Sequence, residues 1–466
     1  MNNTKVSFTP PPDKLPHPAD DSGTVLGRRV AVAGADGVGM YGVARVALSR
    51  GVSVCGCDRH IGEYARRLRR LGCRITEGET PPLEGCSSVV YTAALAADHP
   101  VFAAAARLGL PLFSRAEALA ALIAEMHPSV CVAGTHGKST VTARLGHLFA
   151  AAGLDPLTVC GATPAAEGDP FRAGQGSAVL ECCEYKRSFL SFHPDVALIL
   201  NVEHDHTDCY PTLGDVRAAF SAFVCGSRAA VVPAAETWLI RAARANGVPC
   251  MTFSMSDPTA DVSATDVYSG PDGHGMTVLL RGRPFCRVSL CLPGRCNLSN
   301  ALAAVSVAIT RRIPVSVIVP TLAAERGVRR RMEFRGRWRG AFCYDDYAHH
   351  PTEIRASLCA AREMTRGRLF CVFQSHTYTR TAAHLSEIGA ALRLADHAYI
   401  LPIYAARETD TLGMSEGRIA EATGPTAVAV PRMADLPALL AAHLREGDTL
   451  VVMGAGDVDR LFSMLL

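Results

Sequence analysis

The heptapeptide Gly134-Thr135-His136-Gly137-Lys138-Ser139-Thr140 constrains the fold more than any other stretch of this 466-residue chain. Apolar Val130 to Ala133 lead into it, and a helical pattern from Val141 to Ala152 leaves it. Strand, glycine loop and helix in that order turn bare backbone N–H groups and a helix N-terminus toward one point, an arrangement suited to phosphate. In such a loop Lys138 is expected to neutralise the outer phosphates and Ser139 to offer its hydroxyl to Mg²⁺. The loop is shorter than the G-x-x-x-x-G-K-[ST] form, because Val stands at position 132. Composition sharpens the reading. Of 47 Lys+Arg residues only Lys5, Lys14, Lys138 and Lys186 are lysines. A phosphate loop wants a compact ammonium, not a planar guanidinium, so a lysine kept at 138 against that bias points to a ligand.

The length leaves room for several domains, each with its own core. With 48% hydrophobic and 20% charged residues the chain is globular, not disordered. A net charge of +3 gives no case for nucleic acid or a membrane surface. Arg66-Arg67-Leu68-Arg69-Arg70 reads as a solvated helix face. No apolar run has the length of a membrane span. The 17 cysteines show no paired C-x-x-C zinc spacing, and no signal peptide is read, so reduced core thiols in a cytoplasmic protein are expected.

Residues 1–25 read as a mobile tail. Arg29 to Ala33 form a strand that runs into Gly34-Ala35-Asp36-Gly37-Val38-Gly39, followed by a helix and a second strand ending at Asp58. This β–glycine loop–α–β–acid unit opens a dinucleotide-type fold, although its G-x-x-G-x-G spacing departs from G-x-G-x-x-G. A small α/β domain is expected over 26–114. A second region over 115–326 carries the phosphate loop, strands near Val179–Cys182 and Val196–Leu200, and antiparallel hairpins within 250–292. A third, 327–466, repeats the strand–helix rhythm, so the fold class is α/β throughout.

Polar clusters fall at strand ends, where open α/β sheets place their sites. Ser139, Glu184 and His206 are candidates around a nucleotide metal; Mg²⁺ prefers oxygen donors, which suits Ser139 and Glu184. Asp345-Asp346-Tyr347-Ala348-His349-His350-Pro351-Thr352 follows one strand directly, and Gln374-Ser375-His376-Thr377-Tyr378-Thr379-Arg380 ends the next. The paired histidines lack the companion spacing of a zinc site. A phosphate loop, metal acids and a separate anion-binding region fit ATP-driven activation of a carboxylate, followed by attack of an amine. The pattern alone leaves a kinase or a plain ATPase open.

The blocks GADGVGM (34–40), AGTHGKST (133–140), ECCEYKRSFL (181–190), NVEHDHTDCY (201–210), PGRCNLSNALAA (293–304), RRRMEF (329–334), DDYAHHPTEI (345–354), FQSHTYTRT (373–381) and GAGDV (454–458), in this order, resemble the Mur ligases. The likeness runs from about Arg29 to Leu465, and the DDYAHHPTE and FQSHTYTRT blocks look like the alanine-adding branch. The resemblance implies three domains: a Rossmann-like domain for a uridine nucleotide, a central P-loop ATPase domain and a Rossmann-like C-terminal ligase domain. It implies ATP and Mg²⁺ as cofactors, with UDP-N-acetylmuramate and L-alanine as substrates. The lactyl carboxylate is phosphorylated and the alanine amine displaces phosphate. A ligase adding a recycled tripeptide, or a non-catalytic nucleotide-binding relative, is the alternative. A monomer or weak homodimer is expected.

Residue by residue, Gly34, Gly37, Gly39, Asp58 and Thr92 match the uridine-nucleotide site. Gly134 to Thr140, with Lys138 and Ser139, match the ATP phosphate and Mg²⁺ residues; Glu184 and His206 match the metal and phosphate positions. Asn297, Arg331, Asp346 and Tyr347 match nucleotide contacts. His349, His376 and Arg380 match positions facing the muramate and amino-acid end. The implied catalytic set is Lys138, Glu184, His206, His349 and Arg380. Asp36 stands where the family has glycine, Tyr41 where it has a small residue, and Cys296 where histidine is common. No lysine follows Lys186, which argues against siblings that use a carbamylated lysine. Lys138→Ala is expected to abolish turnover and leave folding intact.

Overall fold

A computed structural model describes residues 25–206, 208–270, 273–406 and 408–466. The tail expected over 1–25 lies, but for Val25, outside the described residues. The chain divides into two compact units, Met1–Glu125 and Met126–Leu466. Among the described residues no helix is long and apolar enough to cross a membrane.

The first unit is built on a five-stranded parallel sheet in the order Arg74–Glu77, Ser53–Asp58, Arg29–Ala33, Ser88–Tyr91, Leu112–Ser114. Its central strand is apolar because it is buried on both faces: Val30 to Ala33 are within 1% of complete burial. The strand order reverses beside Arg29–Ala33, so the loop that leaves it opens into the crevice where such sheets bind ligands. The helix Arg115–Ile123, which the sequence reading assigned to the central region, packs instead on the helix Val38–Ser49 and on the last strands of this sheet. Ser114 and Glu117 form its capping box.

The second unit holds two sheets. The larger has ten strands, with a parallel centre in which Ser129–Ala133 lies between Val196–Ile199 and Ser177–Glu181. The chain thus sets three loop origins side by side: the phosphate loop, the loop from Glu181 to Glu184, and the loop from Asn201 to His206. The hairpins expected within 250–292 are present as the antiparallel strands Val262–Gly270, Gly273–Leu280 and Arg283–Leu290 at the sheet edge. Helices Lys138–Ala151 and Arg295–Thr310 share the core on one face; the alanines at 301, 303, 304 and 308 let them approach closely.

The smaller sheet has six strands, parallel except for the edge strand Glu333–Trp338. In Leu369–His376, Leu369, Cys371 and Phe373 face one apolar cluster, while Phe370 and Val372 face the other. That alternation, apolar on both sides, is the mark of a sheet covered by helices on both faces. The strand ends Asp345–Asp346 and Ser375–His376 flank the strand Thr449–Met453.

Candidate active site

In the first unit, the loop after Arg29–Ala33 is held by its backbone. The N–H groups of Gly34 and Ala35 both donate to Cys57 O at 2.9 Å. Gly34 has φ +90°, and a Cβ there would meet Thr92 Cγ2 at 2.9 Å, so glycine is required. Gly37 caps the helix Val38–Ser49, and Gly39 lies against the Arg115 side chain. Asp58 accepts from the Asp36 N–H at 2.9 Å. Gly34, Gly37, Gly39, Asp58 and Thr92 are therefore gathered at the carboxyl ends of three adjacent strands.

Asp36 is not aimed into that crevice. Its carboxylate turns to the N-terminus of the helix Glu63–Arg70, where Oδ1 accepts from Ala65 N–H at 2.9 Å. It fills the space over Gly62 and serves as the cap which that glycine cannot supply. Burial pushes the Asp36 pKa up, while the helix N–H groups resist the shift. Tyr41, buried, packs at a tilt against Tyr64 of the same helix, ring centroids 5.0 Å apart. Both departures from the family pattern thus serve one local contact.

In the second unit the phosphate loop is pinned by Asn201. Its side chain accepts from His136 N–H at 2.8 Å and donates to His136 O at 3.0 Å. Gly137, φ +86°, caps the helix Lys138–Ala151, and a Cβ on it would lie 2.7 Å from Asn300 Oδ1. The Lys138 ammonium bonds to Gly134 O and Thr135 O and lies 3.1 Å from Glu184 Oε2. Burial opposes this charge, but Glu184, together with Cys183 and Glu181, holds the lysine pKa above its ordinary value. Ammonium and carboxylate thus satisfy each other beside the loop. An arriving phosphate would free Glu184 for a hard cation shared with the Ser139 hydroxyl, a donor set that fits Mg²⁺. His206, at φ +53°, packs at a tilt against Tyr185, ring centroids 4.9 Å apart, and lines the same cleft.

That cleft, about 380 Å³, lies between the phosphate loop and the strand ends of the smaller sheet. Asn297, Arg331, Asp346, His349 and Arg380 all line it. The Asp346 carboxylate accepts from Met332 and Ala348 N–H at 2.8 and 2.7 Å, closing the turn that presents Arg331. Arg331 pairs with Glu353 at 3.1 Å and lies over the Tyr347 ring at 5.5 Å. Asn297 donates to Pro293 O at the helix start. Arg380 donates to His376 Nδ1 at 3.2 Å, and His376 stacks on Tyr404. Burial lowers the pKa of His376 to about 4 and also lowers that of His349. Glu184, Tyr347 and His376 stand behind the lining, each against a residue that reaches the cleft. The residues expected at a uridine-nucleotide site, Gly34, Gly37, Gly39, Asp58 and Thr92, belong to the other unit.

The sequence reading passed over several cleft residues. Asn300 follows Asn297 by three positions, one helical turn, so the same helix face could have flagged it. Glu203, Glu353 and His350 meet only through tertiary packing. His136 lies 3.3 Å from Glu203 Oε2 through Nε2 and 3.3 Å from Glu353 Oε1 through Nδ1. Burial opposes its charge, yet these two hydrogen bonds lift its pKa to about 9. His136, Glu203 and His350 offer donor atoms within 4.8 Å of one another, the spacing of a metal cluster. Protons already fill it. His136 is an imidazolium between two carboxylates, and His350 uses Nδ1 to accept from Thr352 N–H at 3.4 Å, which leaves the proton on Nε2. His136 and Glu203 are joined by a hydrogen bond, and His350 is tied to Glu203 only through Thr352.

The family models that match the chain are the "Mur ligase family, catalytic domain" over residues 29–127, the "Mur ligase middle domain" over 132–308 and the "Mur ligase, glutamate ligase domain" over 330–456. Among curated relatives, the UDP-N-acetylmuramate–L-alanine ligase of Lachnospira eligens is 36% identical over 451 residues, covering 93% of this chain and 96% of its own. That of Acidothermus cellulolyticus is 39% identical over 444 residues, covering 92% of each. Among solved structures, the UDP-N-acetylmuramate-alanine ligase of Thermotoga maritima shares the fold with a TM-score of 0.80 at 24% identity, covering 94% of this chain and 98% of its own.

Proposed function

The chain belongs to the Mur ligase family, and on that premise we propose that it joins L-alanine to the lactyl carboxylate of UDP-N-acetylmuramate, at the expense of ATP, in peptidoglycan precursor synthesis. The observation that carries this reading is the cleft itself: Lys138 of the phosphate loop and Arg380 and His349 of the smaller sheet open into one space. A phosphate donor held by the first and a carboxylate held by the second meet there.

A carboxylate is a poor electrophile, and phosphorylation supplies it with a leaving group. The carboxylate oxygen bonds to the γ-phosphorus as the bond to the ADP oxygen breaks. The alanine nitrogen then bonds to the acyl carbon, loses a proton, and phosphate departs with the carboxylate oxygen. Lys138 leaves Glu184 to follow the charge on the transferring group. Arg331, backed by the Tyr347 ring, presents a flat cationic surface to the nucleotide. Arg380, oriented by His376, holds the acceptor carboxylate. Ser139, Glu184 and His206 would hold Mg²⁺, which neutralises phosphate charge when bound. The uridine diphosphate goes to the glycine loop of the first unit, where N–H groups and the N-terminus of Val38–Ser49 favour it. The domains proposed are those read from the sequence, with the helix Arg115–Ile123 moved to the first. We place the reaction in the cytoplasm as part of this reading, because ATP is supplied there.

The test is phosphate release by purified protein with ATP, Mg²⁺ and UDP-N-acetylmuramate, comparing L-alanine with a tripeptide. Release that requires L-alanine supports the reading. Release that ignores it, or that requires the tripeptide, overturns it.

A further inference from the structure

His350 is buried, with 6% of its surface exposed, and its Nε2 has no hydrogen-bond partner among the described residues. Its position and proton are both fixed. As the N-cap of the helix Pro351–Met364 it accepts from Thr352 N–H through Nδ1, so in the neutral ring the proton sits on Nε2. Burial, then the neighbouring His136 cation, lower its pKa to about 4, so the ring is neutral near pH 7. A neutral donor left unpaired in a buried place costs free energy unless something arrives to accept from it.

The groups around it do not supply that acceptor. Glu203 is engaged by His136 and by the Thr352 hydroxyl at 2.8 Å. Asp205 accepts from His206 N–H at 2.7 Å. Among the described residues, His136 and His384, whose rings lie 5.3 and 5.0 Å away, are the other titratable groups that act on it. His136 belongs to the phosphate loop, and His384 follows Arg380 by one helical turn. His350 lines the cleft between them.

Resting on the ligase reading above, we propose that His350 donates its Nε2–H to an oxygen of the phosphoryl group in transit between ATP and the carboxylate. The donor is preorganised by a helix cap, so it needs no reorientation as charge builds on those oxygens. His350 keeps its proton throughout: the carboxylate oxygen–phosphorus bond forms, the bond to the ADP oxygen breaks, and the hydrogen bond to the phosphoryl oxygen shortens.

Two substitutions separate this role from helix capping. Asparagine caps a helix well but its amide stops near the Nδ1 position. Glutamine caps poorly and places an amide N–H near the Nε2 position. In the full chain, His350→Asn is expected to lower kcat about 100-fold, with the KM for ATP within about threefold and the melting temperature unchanged. His350→Gln is expected to melt lower yet keep kcat within about tenfold of wild type. The Asn loss should be the same at pH 6.5 and pH 7.5, both well below the titration of His136, since His350 exchanges no proton. Wild-type kcat in the Asn variant, a Gln variant as slow as the Asn variant, or a lost limb of the pH profile overturns the proposal alone. Wild-type protein with no alanine-dependent phosphate release overturns the ligase reading and this proposal with it.

Discussion

Nδ1 of His136 lies 3.3 Å from Oε1 of Glu353, joining the phosphate loop to the first turn of the helix Pro351–Met364. Glu203 holds the other ring nitrogen, so the imidazolium is clamped on both sides. Its pKa of about 9 exceeds the ordinary histidine value of 6.5. The folded protein therefore binds this proton more tightly than the unfolded chain does. The clamp's contribution is full below pH 6.5 and is lost as pH rises through about 9. Its ceiling is ~3 kcal/mol. Melting temperatures of wild type and His136→Gln should differ most at pH 6 and converge by pH 9.5; a gap that widens with pH would contradict the assignment.

The Lys138–Glu184 pair changes the expectation for Lys138→Ala. Backbone contacts hold the loop, but removal of the ammonium leaves a buried carboxylate, 3% exposed, without its partner. Breaking such a pair costs ~3 kcal/mol. Lys138→Ala should be inactive and also less stable in denaturant titration. Adding Glu184→Gln should recover most of the stability and none of the activity.

Asp36→Gly restores the residue common in the family and removes the cap of Glu63–Arg70. The expected loss is ~1 kcal/mol. Hydrogen exchange should rise at the amides of Tyr64 and Ala65 and stay unchanged in the phosphate-loop helix. Unchanged exchange at those two amides would show that Asp36 does not cap the helix.

Gly137→Ala should abolish ATP binding. The φ of +86° strains any side chain by about 1–2 kcal/mol, and the new Cβ would collide with Asn300. Calorimetric titration with ATP and Mg²⁺ checks this, with Gly153→Ala, whose Cβ meets nothing within 4 Å, as the control for backbone strain alone.

The parts of the fold legible in the sequence were those with local signatures. Apolar runs closed by glycine or an acid gave the central strands, and Gly134 to Thr140 announced its own strand and helix. Short edge strands such as Phe171–Arg172 and Ala427–Ala429 carry no period to detect. The helix Arg115–Ile123 has an evident cap, yet which sheet it covers is decided by packing on Val38–Ser49. In the site, Lys138 was legible because a lysine among arginines needs a reason. Glu353 and His350 lay within a quoted motif, but their roles depend on Glu203 and His136, far away in sequence and 3–5 Å away in space. Asp36 read only as a departure from the family's glycine, because the N–H it accepts from lies 29 residues on.

The acyl phosphate is the central claim, and oxygen transfer tests it most directly. UDP-N-acetylmuramate labelled with ¹⁸O in its lactyl carboxylate should be turned over with ATP, Mg²⁺ and L-alanine, and the released phosphate weighed by mass spectrometry. One ¹⁸O in each phosphate is the predicted result, because the oxygen that attacks phosphorus leaves with it. Phosphate free of label, with amide product formed, would contradict the account.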